Sequence, residues 1–575
     1  MPAPSLDKLN AAQREVVLLR SHCVAVACPG AGKTSTMATK AAHLLSDPEV
    51  VVGAVTFSKD AALELRERIL ALAGETAKRR LIAGTFHSLA YKQIRVKGSK
   101  SQTILMDGER LALVDQALKA AELDWKLDDA IRVIENLKTA LAIVPTDTPE
   151  GRLLAAYQDS LERNGALDFH DMLRHSVSGM QSGSLKPYPF HHLLVDEFQD
   201  TDPLQYQWVC EHALHGATIT LVGDDDQSIY GFRSALGFRG MESFIRQFDA
   251  QPVILGSNYR CRAEILAAAD RVIVNNRDRI PKTLAAERGP GGTIEFSRFG
   301  DEYDEAVAAV EALSPFLSNG RSGAILARTN RILDPVEAIC RSHGLKYYRA
   351  SGTSILNRPE AALMGSLLEL VQRVRSRGMD TLLGFAGLSV HELRSLHEKL
   401  GPGLQFRQVK ELAGLALSDS SVDTFRDFSK RLSEWRALCE RQFFSLVLEG
   451  VSDWMLRHAK ADAAKRAIRT TYDVLSRLNG PFSDRLEFLR RKNNEPGNDA
   501  IVLTTLHSAK GLEWDAVVLI RVEETVLPDE KGTSEAEERR LFYVGMTRAR
   551  DSLFISTAKK NPTSRFVFEA GLLQT

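Results

Sequence analysis

The chain has no pair of cysteines at CxxC spacing, and its six cysteines (Cys23, Cys28, Cys210, Cys261, Cys340 and Cys439) are scattered over 575 residues. A chain of this length buries a core without disulfides, so they read as reduced thiols of a cytoplasmic protein, not as a disulfide framework. The His and Cys residues show no metal-site spacing. No apolar run approaches the ~18–20 residues of a membrane span. The N-terminus, MPAPSLDKLNAAQ, lacks a basic segment followed by an apolar one, so neither a membrane partner nor a secretory signal is expected. Net charge is also missing: 74 Lys and Arg balance 74 Asp and Glu. That excludes a uniformly basic coat and leaves room for a local basic groove. Internal repeats and low-complexity tracts are absent. What is present is an ordinary globular balance, 44% hydrophobic and 26% charged, in a chain long enough for about three to five domains.

Short apolar, β-branched runs alternate with helical patterns in the N-terminal part: VAVA (24–27), VVGAVTF (51–57), LIAGTF (81–86), HLLVDE (192–197) and TITLVG (218–223). Each is too short for a helix and ends in polar or Gly-bearing turns, as buried parallel strands do. Residues 91–165 have helical spacing and little strand signal. A second α/β pattern opens at VILGSNYR (253–260), runs through GAILARTN (323–330), and resumes at AIVLTTLH (500–507), DAVVLI (515–520) and SLFIS (552–556). Between them lies a long helical stretch. The expected fold is α/β, with two parallel-sheet domains that each carry a helical insertion. The expected boundaries are 1–90 with 166–256, and 257–355 with 493–575, the insertions being 91–165 and 356–492.

ACPGAGKT (27–34) follows the first strand and opens a helix. It is a P-loop with Ala27 in the first position. Small residues (Ala27, Cys28, Pro29, Gly30, Ala31, Gly32) let backbone N–H groups close on phosphates. Lys33 would reach the β- and γ-phosphates, and the Thr34 hydroxyl would bind Mg²⁺. HLLVDEFQD (192–200) ends a strand in adjacent carboxylates: Asp196 to hold the Mg²⁺ hydration shell, Glu197 to orient and deprotonate the attacking water. In GDDDQSIYGFR (223–233), Gln227 is placed to sense the γ-phosphate or the water. Tyr230 and Phe232 are either core or two rings on one surface, and Asp224–Asp226 are either a solvated loop or support for the metal. Arg260 in SNYRCR and Arg548 in EERRLFYVGMTRAR are either surface ion pairs or arginines that reach the γ-phosphate and couple nucleotide state to domain closure.

Taken in order, LNAAQREVV (9–17), ACPGAGKT, AVTFSKDAALELRERI (54–69), GTFHSLA (84–90), LDFHDML (167–173), VDEFQDTDPLQ, GDDDQSIYGFRSA, LGSNYRCRAEIL, TTLHSAKGLEWDAVVL (504–519) and EERRLFYVGMTRARDSLFI (537–555) resemble the motifs of superfamily 1 DNA helicases of the UvrD/Rep/PcrA type. The resemblance implies two RecA-like motor domains and ATP as cofactor. Gln13 would contact adenine, Tyr259 would stack on it, and Glu513 would reach the ribose. Lys33, Thr34, Asp196, Glu197, Gln227, Arg260 and Arg548 would form the hydrolytic site. Phe57, His87, Tyr230, Phe232 and His507 would lie near single-stranded DNA, where stacking worth ~1–3 kcal/mol per base suits a sequence-tolerant motor. Some positions depart from the family: Ser35 where Arg is frequent, Lys59–Asp60 with the basic group displaced by one, Phe232 for Trp, and Trp514 for Phe. The insertions look shorter, and a C-terminal tail or fused nuclease domain is not expected.

Residues 457–492 carry ten basic groups against four acidic ones. The stretch is either a solvated helix face or a contact to duplex phosphates ahead of a fork. Lys78–Arg80 with Lys92, Arg95, Lys97 and Lys100 form a second such patch. The expected activity is ATP-dependent, 3′-to-5′ translocation on single strands with unwinding at single-strand/duplex junctions. The alternative is a DNA-dependent ATPase that needs a protein partner, such as a nuclease, to unwind.

Overall fold

The computed structural model describes residues 5–95, 103–105, 107–140, 144–231, 234–352, 358–372, 379–400, 417–478, 481–490, 499–530, 532, 534–558 and 561–574. The chain divides into two compact units. One comprises Met1–Thr293, Pro528–Asp551 and Phe566–Thr575; the other comprises Ile294–Leu527 and Ser552–Arg565.

The first unit is built on a six-stranded sheet in the order Leu81–Thr85, Val52–Thr56, His192–Val195, Thr218–Gly223, Cys23–Ala27, Gln251–Leu255. Every pairing in it is parallel. The interior strands, apart from the half-buried Thr218, are buried along their whole length, which is why the sequence shows continuous apolar runs and not alternation. One face packs Val24, Val26, Leu193, Val195 and Leu221 against Trp208 and Phe244. The other packs Ala25, Ala54, Leu194 and Val222 against Met37 and Leu44 of the helix Lys33–Leu45 and against Leu65 and Ile69 of Lys59–Ala73. The strand Gln251–Leu255 pairs with Cys23–Ala27. It therefore completes the first sheet and does not open a second one, as its place in the apolar pattern suggests. Helices Asp107–Ala120, Leu127–Thr139 and Pro149–Arg163 form a small separate core around Ile134, Leu153, Tyr157 and Leu161. Lys138 ties that insertion to the helix Phe169–Gln181, its ammonium reaching Asp168 and Asp171 at 2.8 Å each. All three side chains are buried, so the pairing neutralises charge that burial would otherwise penalise.

Apart from Thr293 and residues 549–551, the second unit holds another six-stranded sheet, ordered Thr293–Arg298, Ala549–Thr557, Trp514–Leu519, Gly323–Ala327, Ile501–Thr505, Tyr347–Arg349. Gly323–Ala327 is parallel to both its neighbours. Helices from Pro359–Val371 to Phe482–Arg490 pack around their own core, which includes Trp454, Phe428, Leu368 and Phe482. The architecture is thus α/β, with two RecA-like parallel sheets and helical insertions. Among the described residues no helix is long and apolar enough to cross a membrane.

Candidate active site

The P-loop leaves the carboxyl end of the central strand Cys23–Ala27, where open parallel sheets bind their ligands. Its carbonyls are held from outside the loop. Ala27 O accepts from Lys282 Nζ (3.3 Å), Pro29 O from Asn258 Nδ2 (2.6 Å), Gly30 O from Tyr259 N (3.0 Å) and Ala31 O from Gln13 Nε2 (3.0 Å). With these acceptors spent on the protein, the loop has N–H groups to present other than those of Cys28 and Ala31, which bond Leu255 O and Cys28 O. The helix Lys33–Leu45 starts at Gly32, which offers no side-chain cap to its first turn. Open first-turn donors at the positive end of a helix suit phosphate oxygens. Gly30 (φ 64°) and Gly32 (φ 72°) take left-handed backbone, and a Cβ on Gly30 would stand 2.5 Å from Cβ of Arg260. The glycine is therefore needed for the close approach of the Arg260 segment as well as for the turn.

Lys33 opens that helix, and its ammonium meets Glu197 Oε2 at 2.9 Å. Burial works against the Lys33 charge, but Glu197, Asp224 and Asp196 outweigh it and raise its pKa. Thr34 and Ser35 follow in the same first turn. Asp196 sits at the end of the strand His192–Val195, 7% exposed. Burial, then the Glu197 carboxylate, pushes its pKa up to about 7. An acid held in that way gains by meeting a cation. Glu197 has left-handed backbone (φ 50°), unusual for a side chain of its kind and typical of functional turns.

Asp224, Asp225 and Asp226 are fully buried, and their carboxylates lie within 4.8 Å of one another. This is no solvated loop. Lys282 Nζ stands among them at 2.8, 2.6 and 3.1 Å, and Arg279 grips Asp226 with two bonds of 3.0 and 2.8 Å. The ammonium takes the place a metal ion would need. Gln227 is also buried. It donates to Asp224 Oδ2, and its Oε1 accepts from Arg548 Nη2 at 3.0 Å. Arg548 is 1% exposed, with Nε on Val544 O. Arg260 donates to Thr547 O at 3.3 Å. Both arginines thus belong to the unit that holds the P-loop, Arg548 as a buried side chain and Arg260 as a half-buried one.

Beside the loop, Gln13 is buried in a capping box with Asn10, whose Nδ2 donates to the Tyr259 hydroxyl at 3.0 Å. The Tyr259 ring is 44% exposed and open to a planar partner. Phe57 and Tyr230 stack with centroids 5.9 Å apart and planes 6° from parallel; Phe57 is 42% exposed. Thus the pair forms a surface and not core. His87 meets the exposed ring of Phe169 edge-on at 5.8 Å, and burial holds its pKa down to about 4, so it is a neutral ring. His507 and Glu513 lie in the second unit, half-buried, the first after the strand Ile501–Thr505 and the second before Trp514–Leu519. Phe232 lies outside the described residues.

The basic patches fare unevenly. Arg80 donates to the carbonyls of Leu45, Asp47 and Val50, and Arg485 is buried on Leu475 O, so both are structural. Arg466 and Arg469 are exposed. Lys97, Lys100, Arg491 and Lys492 lie outside the described residues.

Sequence reasoning missed Asn258, Lys282, Gln199 and Phe169. Gln199 is fully buried between Glu197 and Asp224. Three consecutive aspartates after an apolar strand do signal a buried counter-cation, but not which one.

The family model described as the UvrD/REP helicase N-terminal domain matches residues 9–249, and that of the UvrD-like helicase C-terminal domain matches 253–378 and 411–560. The chain is 30% identical to DNA helicase II of Escherichia coli over 96% of its own length and 85% of the relative's. It is 28% identical to the ATP-dependent DNA helicase PcrA of Bacillus subtilis, covering 98% and 86%. Against the ATP-dependent DNA helicase UvrD1 of Mycobacterium leprae the figures are 30%, 98% and 85%.

Proposed function

Since the chain belongs to the UvrD/REP helicase family, enzymes that couple ATP hydrolysis to DNA unwinding, we propose that it translocates 3′ to 5′ on single-stranded DNA and opens duplex at junctions. The reading takes residues 1–90 and 166–256 as one motor domain and 257–355 and 493–575 as the other, with 91–165 and 356–492 inserted. It places the protein in the cytoplasm.

The observation that carries this reading is the Lys33–Glu197 pair, set between a loop whose carbonyls are held back and two arginines from distant segments. The donor set fits a nucleotide triphosphate. The loop N–H groups, Lys33 and Ser35 would hold phosphates, Gln13, Tyr259 and Glu513 the nucleoside, and Thr34 and Asp196 the accompanying Mg²⁺. Bound in this way, ATP supplies the phosphoryl group and Mg²⁺ neutralises its charge. Lys33 exchanges its Glu197 partner for phosphate oxygens. Glu197, freed of that ion pair, accepts the proton of the attacking water. Gln227 holds that water or the γ-phosphate, while Arg260 and Arg548 stabilise the charge that develops there. Phe57, His87, Tyr230, Phe232 and His507 meet the strand, and base stacking makes its grip indifferent to sequence.

A strand-displacement assay on duplexes with a 3′ or a 5′ tail tests the proposal. Displacement with ATP from the 3′ tail alone supports it. Displacement from the 5′ tail alone overturns the polarity. ATP turnover on DNA with no displacement from either favours a translocase that needs a protein partner.

A further inference from the structure

Gln199 is fully buried, and both ends of its amide are spent. Its Nε2 donates to Glu197 Oε2 at 2.6 Å, the same oxygen that holds Lys33. Its Oε1 accepts from the backbone N of Asp224 at 2.9 Å. A carboxylate can only accept and a backbone N–H can only donate, so chemistry fixes the orientation of the amide. The fit is tight: a Cβ on Gly223 would stand 2.6 Å from Gln199 Oε1, and Ser228 Oγ donates to Gln199 O at 3.2 Å.

Asp224 opens the segment that leads to Tyr230. Its carboxylate accepts from Gln227, which in turn accepts from Arg548. Tyr230, three residues on, stacks on Phe57. One hydrogen-bonded chain thus joins the Glu197 carboxylate to the stretch that ends at the half-buried Tyr230, stacked on the exposed Phe57. Behind the half-buried Glu197, its members Gln199, Asp224, Gln227 and Arg548 are buried, so each lost bond leaves an unsatisfied polar group and the bonds support one another.

We propose that Gln199 is a positioning residue that carries the state of the 224–230 segment to the Glu197 carboxylate, so that ATP turnover answers to DNA on the Phe57–Tyr230 platform. The inference rests on the reading of Glu197 as the base of an ATP-hydrolysing motor. Its consequence is a division of roles: Gln199 touches neither nucleotide nor strand, yet sets how strongly one acts on the other.

The test is steady-state ATP turnover of the full chain with and without oligo(dT), for the wild type, Gln199→Leu, Gln199→Glu, Tyr230→Ala and the double variant Gln199→Leu/Tyr230→Ala. The stimulation ratio of Gln199→Leu is expected to fall at least tenfold. Its KM for ATP and its oligo(dT) affinity without nucleotide should stay within threefold of wild type, which also shows that it folds. Gln199→Glu keeps the acceptor for Asp224 N but loses the donor to Glu197, so it should lose the same ratio and decides the matter if the leucine variant does not fold. The double variant should be no less stimulated than Tyr230→Ala, since both changes cut one connection. Equal loss of basal and stimulated turnover, with the ratio kept, overturns the proposal. So does a stimulation loss that multiplies in the double variant. A wild type that hydrolyses no ATP on DNA would instead sink the helicase reading.

Discussion

The P-loop region and the Phe57–Tyr230 platform stand on neighbouring strands of one sheet and are built by opposite rules. Around the P-loop a set of polar side chains is buried and paired: Lys282 against three aspartates, Gln227 against Asp224 and Arg548, and Asn258 against Pro29 O. At the platform Phe57, and beside His87 the ring of Phe169, are large apolar side chains left in solvent. The first region gains its geometry from over-determination, since removing a partner strands a buried charge or an unsatisfied polar group. The second gains its use from what it leaves uncovered. On the proposed reading, the contrast fits a site that holds one reacting group and a surface that releases and re-grips successive bases.

Substitutions that respect this contrast should separate the two regions. Glu197→Gln keeps the shape of the site and removes the base. Turnover should fall by about 10²–10⁴-fold while ATP analogues still bind, as read by steady-state hydrolysis and equilibrium titration. Near-wild-type turnover would remove Glu197 from the mechanism. Lys282→Ala leaves Asp224, Asp225 and Asp226 buried without their ammonium. It should cost the first unit about 3–5 kcal/mol, seen as an earlier urea midpoint. An unchanged midpoint would mean that the aspartates find another cation. Tyr230→Ala should weaken oligo(dT) binding by about 1–3 kcal/mol with the urea midpoint unmoved; loss of fold in this variant would make the ring core after all. Smallest is the effect expected of Arg466→Glu with Arg469→Glu. If these exposed arginines touch duplex phosphates, the slope of log affinity against log salt should flatten by about 0.9 for each phosphate no longer neutralised. An unchanged slope would leave them a solvated helix face.

The same contrast explains what the sequence reveals and what it hides. The first sheet is legible because its strands are buried on both faces and read as unbroken apolar runs, and the P-loop and the Asp196–Glu197 pair are legible because their chemistry sits in consecutive residues. Asn258 and Lys282 are not legible. Asn258 acts through a bond to a carbonyl, and Lys282 through bonds to a carbonyl and three carboxylates, all more than fifty residues away, and nothing in the local pattern marks either. Gln199 lies inside the VDEFQD motif, but its role depends on the turn that brings Asp224 N against it. Arg80 and Arg485 show the converse error: counted as surface charge, they cap carbonyls inside the fold. The strand Gln251–Leu255 looks like the start of a second α/β pattern because order along the chain does not reveal which central strand it pairs with.

Nothing tests the composite phosphate site more directly than a crystal structure of the full chain with a non-hydrolysable ATP analogue and Mg²⁺. The account predicts that the guanidinium groups of Arg260 and Arg548 both come within hydrogen-bonding reach of the γ-phosphate while Lys33 leaves Glu197 for phosphate oxygens. An analogue held by the P-loop with both arginines turned away and the Lys33–Glu197 pair intact would contradict it.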